Sequence, residues 1–122
     1  MIFCHEWHAL TLINELTQIM SRIEKLNEFL QASPGDSFLQ HALALEYVKI
    51  GNDDEAKKLF ETILEREPGY VGSYYHLGKL LERNSETDKA IDVYKKGMEE
   101  TKKANDRHAY SELQGALEEL ED

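Results

Sequence analysis

Cysteine is almost missing from this sequence. Cys4 stands alone in 122 residues, so no disulfide can close within the chain, which suits a reducing compartment. Positive charge is in deficit: 14 basic side chains face 24 acidic ones, a formal net charge of -10. That balance makes nucleic acid and anionic membrane poor partners. A signal peptide is not expected either. The N-terminus is apolar but has no basic lead, and His5, Glu6, His8, Asn14 and Glu15 interrupt it, so it is also too short and polar to span a bilayer. The expected location is cytoplasmic. No strand pattern occurs. Val71 to Tyr75 favours β structure by composition, but it is short and has glycines at 69 and 72.

What is present suffices for one ordinary domain. Apolar residues make up 41% and charged residues 31%, a mixture that packs a core and stays soluble. Proline occurs only at 34 and 68. The same interval pairs Leu43 with Leu77, Ala44 with Gly78, Gly51 with Ser85, Ala56 with Ala90 and Phe60 with Tyr94. A self-match at one fixed period marks a repeat architecture.

Each unit reads as two helices. Asp36 caps a helix to about Ile50, with Gly51 as its left-handed stop. Asp53 or Asp54 opens the next, carrying Leu59, Phe60, Ile63 and Leu64 and ending before Pro68. In the second unit Tyr74, Leu77, Leu80 and Leu81 mark one helix, ended by Asn84. Ser85 to Asp88, or Thr87, caps the other, marked by Ala90, Ile91, Tyr94 and Met98. Ahead of these, Ser21-Arg22-Ile23-Glu24 has the form of a capping box opening a helix to Ser33-Pro34. Residues 1–20 are either an extension, with Met20 as the natural start, or a further helix on which Phe3, Trp7, Leu10, Ile13 and Leu16 recur at helical spacing. Ala109, Tyr110, Leu113, Ala116, Leu117 and Leu120 form a stripe opposite Glu112, Glu118, Glu119 and Glu121, as in a terminal helix that seals a core.

These residues resemble the tetratricopeptide repeat: an aromatic, Leu-Gly, a large residue, Ala, an aromatic and Pro over 34 positions. The second unit supplies Tyr74, Leu77-Gly78, Leu81, Ala90 and Tyr94, with Lys102 in place of Pro; the first supplies Leu43-Ala44, Tyr47, Ala56, Phe60 and Pro68, with Gln40 in place of the aromatic. The resemblance implies an all-α fold, a short right-handed superhelix of antiparallel helix-turn-helix repeats with a C-terminal capping helix. The expected division is one domain over 1–122: residues 1–20 as above, a partial repeat at 21–34, repeats at 37–70 and 71–104, and the cap at 105–122.

Catalytic signatures are weak. Gly72 to Lys79 has one residue too many between its glycines for a phosphate-binding loop, and Leu80 stands where a hydroxyl would hold magnesium. No Gly-x-Ser-x-Gly occurs. Cys4, His5 and His8 could ligate zinc or copper, but the metalloprotease spacing is not met, and His41, His76 and His108 are scattered along the chain. The expectation is no enzyme, no cofactor and no metal, with Cys4, His5 and His8 as the weaker alternative. The resemblance implies instead a scaffold whose first helices line a concave face for a protein or peptide. Helical spacing places Phe38, His41, Leu45 and Lys49 of the first unit there, and Tyr75, Lys79 and Glu82 of the second. The Lys/Asn/Arg clamp for chaperone C-terminal carboxylates is not reproduced, since Lys79 has no asparagine beside it. The alternative role is a structural or self-associating subunit, which allows a homo-oligomer.

Overall fold

The computed structural model describes the backbone of residues 2–121 and the side chains of residues 7–121. Among them are six helices and no strand: α1 (Ile2–Ala32), α2 (Ser37–Lys49), α3 (Asp53–Arg66), α4 (Gly72–Arg83), α5 (Thr87–Lys103) and α6 (Arg107–Glu121). Each helix packs on the next along the chain, and α4 also meets α6. Neighbour-on-neighbour stacking of this kind defines a solenoid.

The turns explain the order. Gly51, Ser85 and Asn105 all have positive φ, at 78°, 63° and 57°. Behind each, the same two bonds close the helix. Gly51, Ser85 and Asn105 donate to the carbonyls of Val48, Glu82 and Lys102, and Asn52, Glu86 and Asp106 donate to those of Tyr47, Leu81 and Thr101. This is the Schellman closure, in which a left-handed residue lets the last carbonyls find donors. The other two turns use proline instead. Ser33-Pro34-Gly35-Asp36 and Glu67-Pro68-Gly69-Tyr70 each close with a bond from the fourth residue to the first, at 3.2 and 3.0 Å, with proline at the second position, where its fixed φ suits a turn.

Three cap assignments differ from the sequence expectation. α1 runs unbroken through Ser21, because no glycine or proline precedes it to stop propagation. The N-cap of α3 is Asn52, and Asp53 and Asp54 lie in its first turn, where negative charge suits the helix dipole. The N-cap of α5 is Glu86, because Ser85 is occupied as the left-handed residue. Asp36 does cap α2, its carboxylate accepting from the Leu39 amide at 3.0 Å.

The core forms where small residues let helices approach. Ala44, Ala56 and Ala90 have no exposed surface, nor do Phe60 and Tyr94. Gly78 seats the Tyr94 ring: a Cβ there would lie 2.6 Å from Tyr94 Cζ. The Tyr94 hydroxyl donates to Glu82. Burial and that carboxylate push the tyrosine pKa far up. Gly97 plays the same part for α6, since a Cβ there would meet Tyr74 at 2.7 Å and Leu113 at 2.8 Å.

The two units also share one polar tie. Tyr74 donates its hydroxyl to the Pro68 carbonyl at 2.6 Å. Thirty-four positions earlier, Gln40 donates its amide to the Pro34 carbonyl at 3.1 Å. The glutamine therefore replaces the aromatic without losing its bond, and Arg66 completes it by donating to Gln40 and Ser37, each at 2.8 Å. After the second unit the period changes. With Lys102 in place of proline, α5 continues to Lys103, and the buried Leu113 and Leu117 take the places of Leu77 and Leu81 at a spacing of 36, with Tyr110 at the position of Tyr74.

Two substitutions test this account. Gly78→Ala is expected to cost about 1–3 kcal/mol despite better helix propensity, because the methyl displaces Tyr94. Ser85→Gly relieves a left-handed side chain and is expected to stabilise by roughly 0.5 kcal/mol. Urea unfolding followed by circular dichroism reads both.

Candidate functional site

Helices α2 and α4, the first helices of the two units, meet through His41, which reaches Ser73 and His76, and α6 packs beside α4. The residues expected on their shared face divide into two groups. Some are engaged by packing or by a partner within the chain. Leu45 is partly buried against the core. Glu82 holds the Tyr94 hydroxyl. Lys49 pairs with Glu46 at 3.1 Å. His41 lies between α2 and α4, sharing a hydrogen bond of 2.9 Å between its Nδ1 and the buried Ser73 hydroxyl.

The others face outward. Phe38 is 70% exposed at the start of α2. Tyr75 and Lys79 line a groove of about 210 Å³ between α4 and α6, completed by Ser111, Glu112, Gly115, Ala116 and Glu119. The Lys79 ammonium lies 3.6 Å from Glu82, 3.8 Å from Glu119 and 5.7 Å from the centre of the Tyr75 ring. A smaller recess of about 80 Å³ opens beside it, between Val48, His76, Leu80 and Arg83, and Lys79 lines this one too. Lys79 thus joins two adjoining hollows on one face.

Sequence spacing missed two parts of this site. The first is the α6 wall, Ser111, Glu112 and Glu119, because the apolar stripe of α6 marks a helix that seals the core and does not show which neighbour its polar side faces. The second is the histidine pair. His41 and His76, remote in sequence, have ring centres 5.5 Å apart, and His41 also stacks near Phe60 and Tyr70, each at 5.6 Å. A larger hollow of about 460 Å³ lies at the α5–α6 turn, bounded by Thr101, Lys102, Asn105, Asp106, Arg107 and Tyr110. It gathers none of the expected residues, and Lys102 lies over the Tyr110 ring at 5.4 Å within it.

The metal alternative gains little from the geometry. His8 is exposed on α1, while the side chains of Cys4 and His5 lie outside the described residues. Among the described residues no three His, Cys, Asp or Glu side chains gather as a metal would need. No helix among the described residues is long and apolar enough to cross a membrane.

Comparison with known proteins decides the family. The tetratricopeptide repeat model matches residues 39–70 and again 59–92. A tetratricopeptide repeat domain protein from Salinibacter ruber, known from its crystal structure, is 46% identical; the match covers 70% of this chain and 96% of that one, with a TM-score of 0.68. The chain belongs to the tetratricopeptide repeat family. The TPR2B domain of yeast Sti1, solved as a complex with pHsp70, shares the fold at a TM-score of 0.79 and 14% identity, covering 86% of this chain and 84% of that one. The aspartyl/asparaginyl beta-hydroxylases of Mus musculus and Homo sapiens are 30% and 31% identical over 74 residues, or 61% of this chain. The match spans 10% of the length of those curated relatives.

The histidine pair gives this tetratricopeptide repeat chain a pH dependence. Burial lowers both pKa values; His76 further opposes a charge on His41, while Glu112 partly offsets the effect of burial at His76. The unfolded chain, with histidines near 6.5, therefore binds more protons than the folded one as pH falls. Stability contributed by the neutral pair is complete above about pH 6.5 and is lost below it. Thermal scans from pH 7.5 to 5 should show a falling midpoint, and His76→Gln should flatten that slope. An unchanged slope in the variant would show that the pair is not responsible.

Proposed function

We propose that the chain is a non-catalytic interaction module whose face formed by α2, α4 and α6 takes a peptide or protein segment. The observation that carries this reading is the groove at Tyr75 and Lys79. It offers an aromatic ring, one ammonium and the carboxylates of Glu112 and Glu119 within one cleft. Repeat proteins of this kind act through such faces, and aromatic side chains beside a charge are the usual anchors of binding energy. The complementary segment carries an apolar side chain to lie on Tyr75, flanked by a basic group for the α6 carboxylates. Phe38 offers a second apolar contact on α2. Lys79 is already neutralised in part by Glu82 and Glu119, which argues against a bare C-terminal carboxylate as ligand.

A second reading, self-association, is favoured by a separate observation. The N-terminal half of α1 leaves Trp7, Leu10, Leu12, Ile13 and Leu16 exposed.

A peptide array probed with the purified protein tests the groove. Tyr75→Ala and Lys79→Ala are each expected to weaken a selected peptide about tenfold, or ~1.4 kcal/mol, with far-UV circular dichroism unchanged. Binding that is indifferent to both substitutions would move the site elsewhere. Loss of helicity in Tyr75→Ala would make that residue a core element.

A further inference from the structure

α1 has 31 residues, about twice the length of the helices that follow. Its side chains from Trp7 to Gln18 are all exposed, and it packs on α2. The partly buried residues of α1 are Ile19, Ile23, Leu26 and Leu30, which places the α2 contact on its C-terminal half. Those positions alternate by four and three, the spacing of a coiled-coil seam. The same alternation continues backwards, without a break, through Leu16, Leu12 and Ala9. The seam that α2 covers at one end is therefore uncovered at the other, where Leu12 is 54% and Leu16 49% exposed. Ile13 and Met20 widen it on one side, at 59% and 58%.

We infer that this uncovered seam pairs with the same seam of a second copy, antiparallel, to form a dimer. The inference rests on the self-association reading and specifies its surface. Three observations select the occupant. The seam is continuous with an interface the fold already uses. Lys and Arg are absent from residues 1–19, so neither an anionic membrane nor nucleic acid finds a counter-charge there. The third is register. Because α2 occupies the seam from Ile19 onward, a parallel partner would set one α2 against the other, and an antiparallel partner can overlap only ahead of Ile19. Within that limit, seam packing places Ala9 opposite Leu12 of the second copy, and Leu12 opposite its Ala9. Small then meets large on both sides of the two-fold axis. The same register brings His8 opposite Glu15 of the second copy, again twice. The polar groups flanking the seam are thereby paired, imidazole to carboxylate, and no carboxylate faces another there.

The overlap is about 17 residues, or roughly 25 Å of helix. A seam of that length is a small interface, so the dimer is expected to be weak and to form in the micromolar range. Sedimentation equilibrium of the full chain should show monomer passing to dimer as concentration rises through that range. Leu12→Glu with Leu16→Glu should leave monomer at tenfold higher concentration, with the unfolding midpoint of the repeats unchanged, since residues 7–18 are not packed on them. Glu15→Lys should weaken the dimer several-fold, and adding His8→Glu should restore it. A wild-type chain that stays monomeric at several hundred micromolar overturns both the self-association reading and the seam. A dimer that survives the paired leucine substitutions overturns the seam alone. Failure of His8→Glu to restore the Glu15→Lys dimer overturns the register. Flotation of the monomer with phosphatidylcholine vesicles, without dimer, would assign the face to lipid and overturn the proposal.

Discussion

The seat that Gly78 makes for Tyr94 governs the second unit. α4 and α5 can lie close only because one of them gives up a side chain, and the ring that enters the space is fully buried. Its hydroxyl must then find a partner, since a buried unpaired donor is costly. Glu82, one turn beyond the glycine, accepts it. That bond withdraws Glu82 from the open face and leaves Tyr75 and Lys79 as the residues α4 presents there. One missing methyl group therefore sets the helix separation, the position of a buried ring and the composition of the groove.

The same logic runs between units with different chemistry. Tyr74 and Gln40 share little beyond a terminal donor, yet each reaches the carbonyl of the proline that precedes its helix. What the fold requires at this position is a hydrogen bond to an otherwise orphaned carbonyl, and an aromatic ring is one of several ways to deliver it. Arg66 adds a link across the turns, binding Ser37 and Gln40 at once. The histidine pair belongs to this layer as well. It ties α2 to α4 beside the groove, and His76 also lines the recess next to Lys79.

Much of the fold was legible because repeats print their packing twice. Ala44 and Gly78, Ala56 and Ala90, Phe60 and Tyr94 recur at one interval, and each pair is buried. Gly51 announced its left-handed turn. Ser85 did not, because serine has no marked preference for positive φ; Asn105, a residue type enriched there, follows a helix end that lies off the 34-residue interval. Ser21 misled for a related reason: a capping box opens a helix only where something upstream ends one. The site was less legible. Helical spacing assigned seven residues to one expected face, but it could not tell Glu82, spent on Tyr94, from Lys79, which remains in the groove. Nor could it bring His41 to His76, since that distance depends on how α2 and α4 pack.

The change of interval after α5 has its own consequence. Loss of a proline at position 102 lets α5 continue to Lys103, and every side chain of α6 falls two places out of phase with the helices before it. Alignment held rigidly at 34 would set Leu113, which is buried, against Lys79 in the groove; at 36 it meets Leu77, which is buried as well. Comparison of this chain with longer arrays must therefore admit a two-residue gap before residue 107, or it will exchange the core of the last helix for its open face.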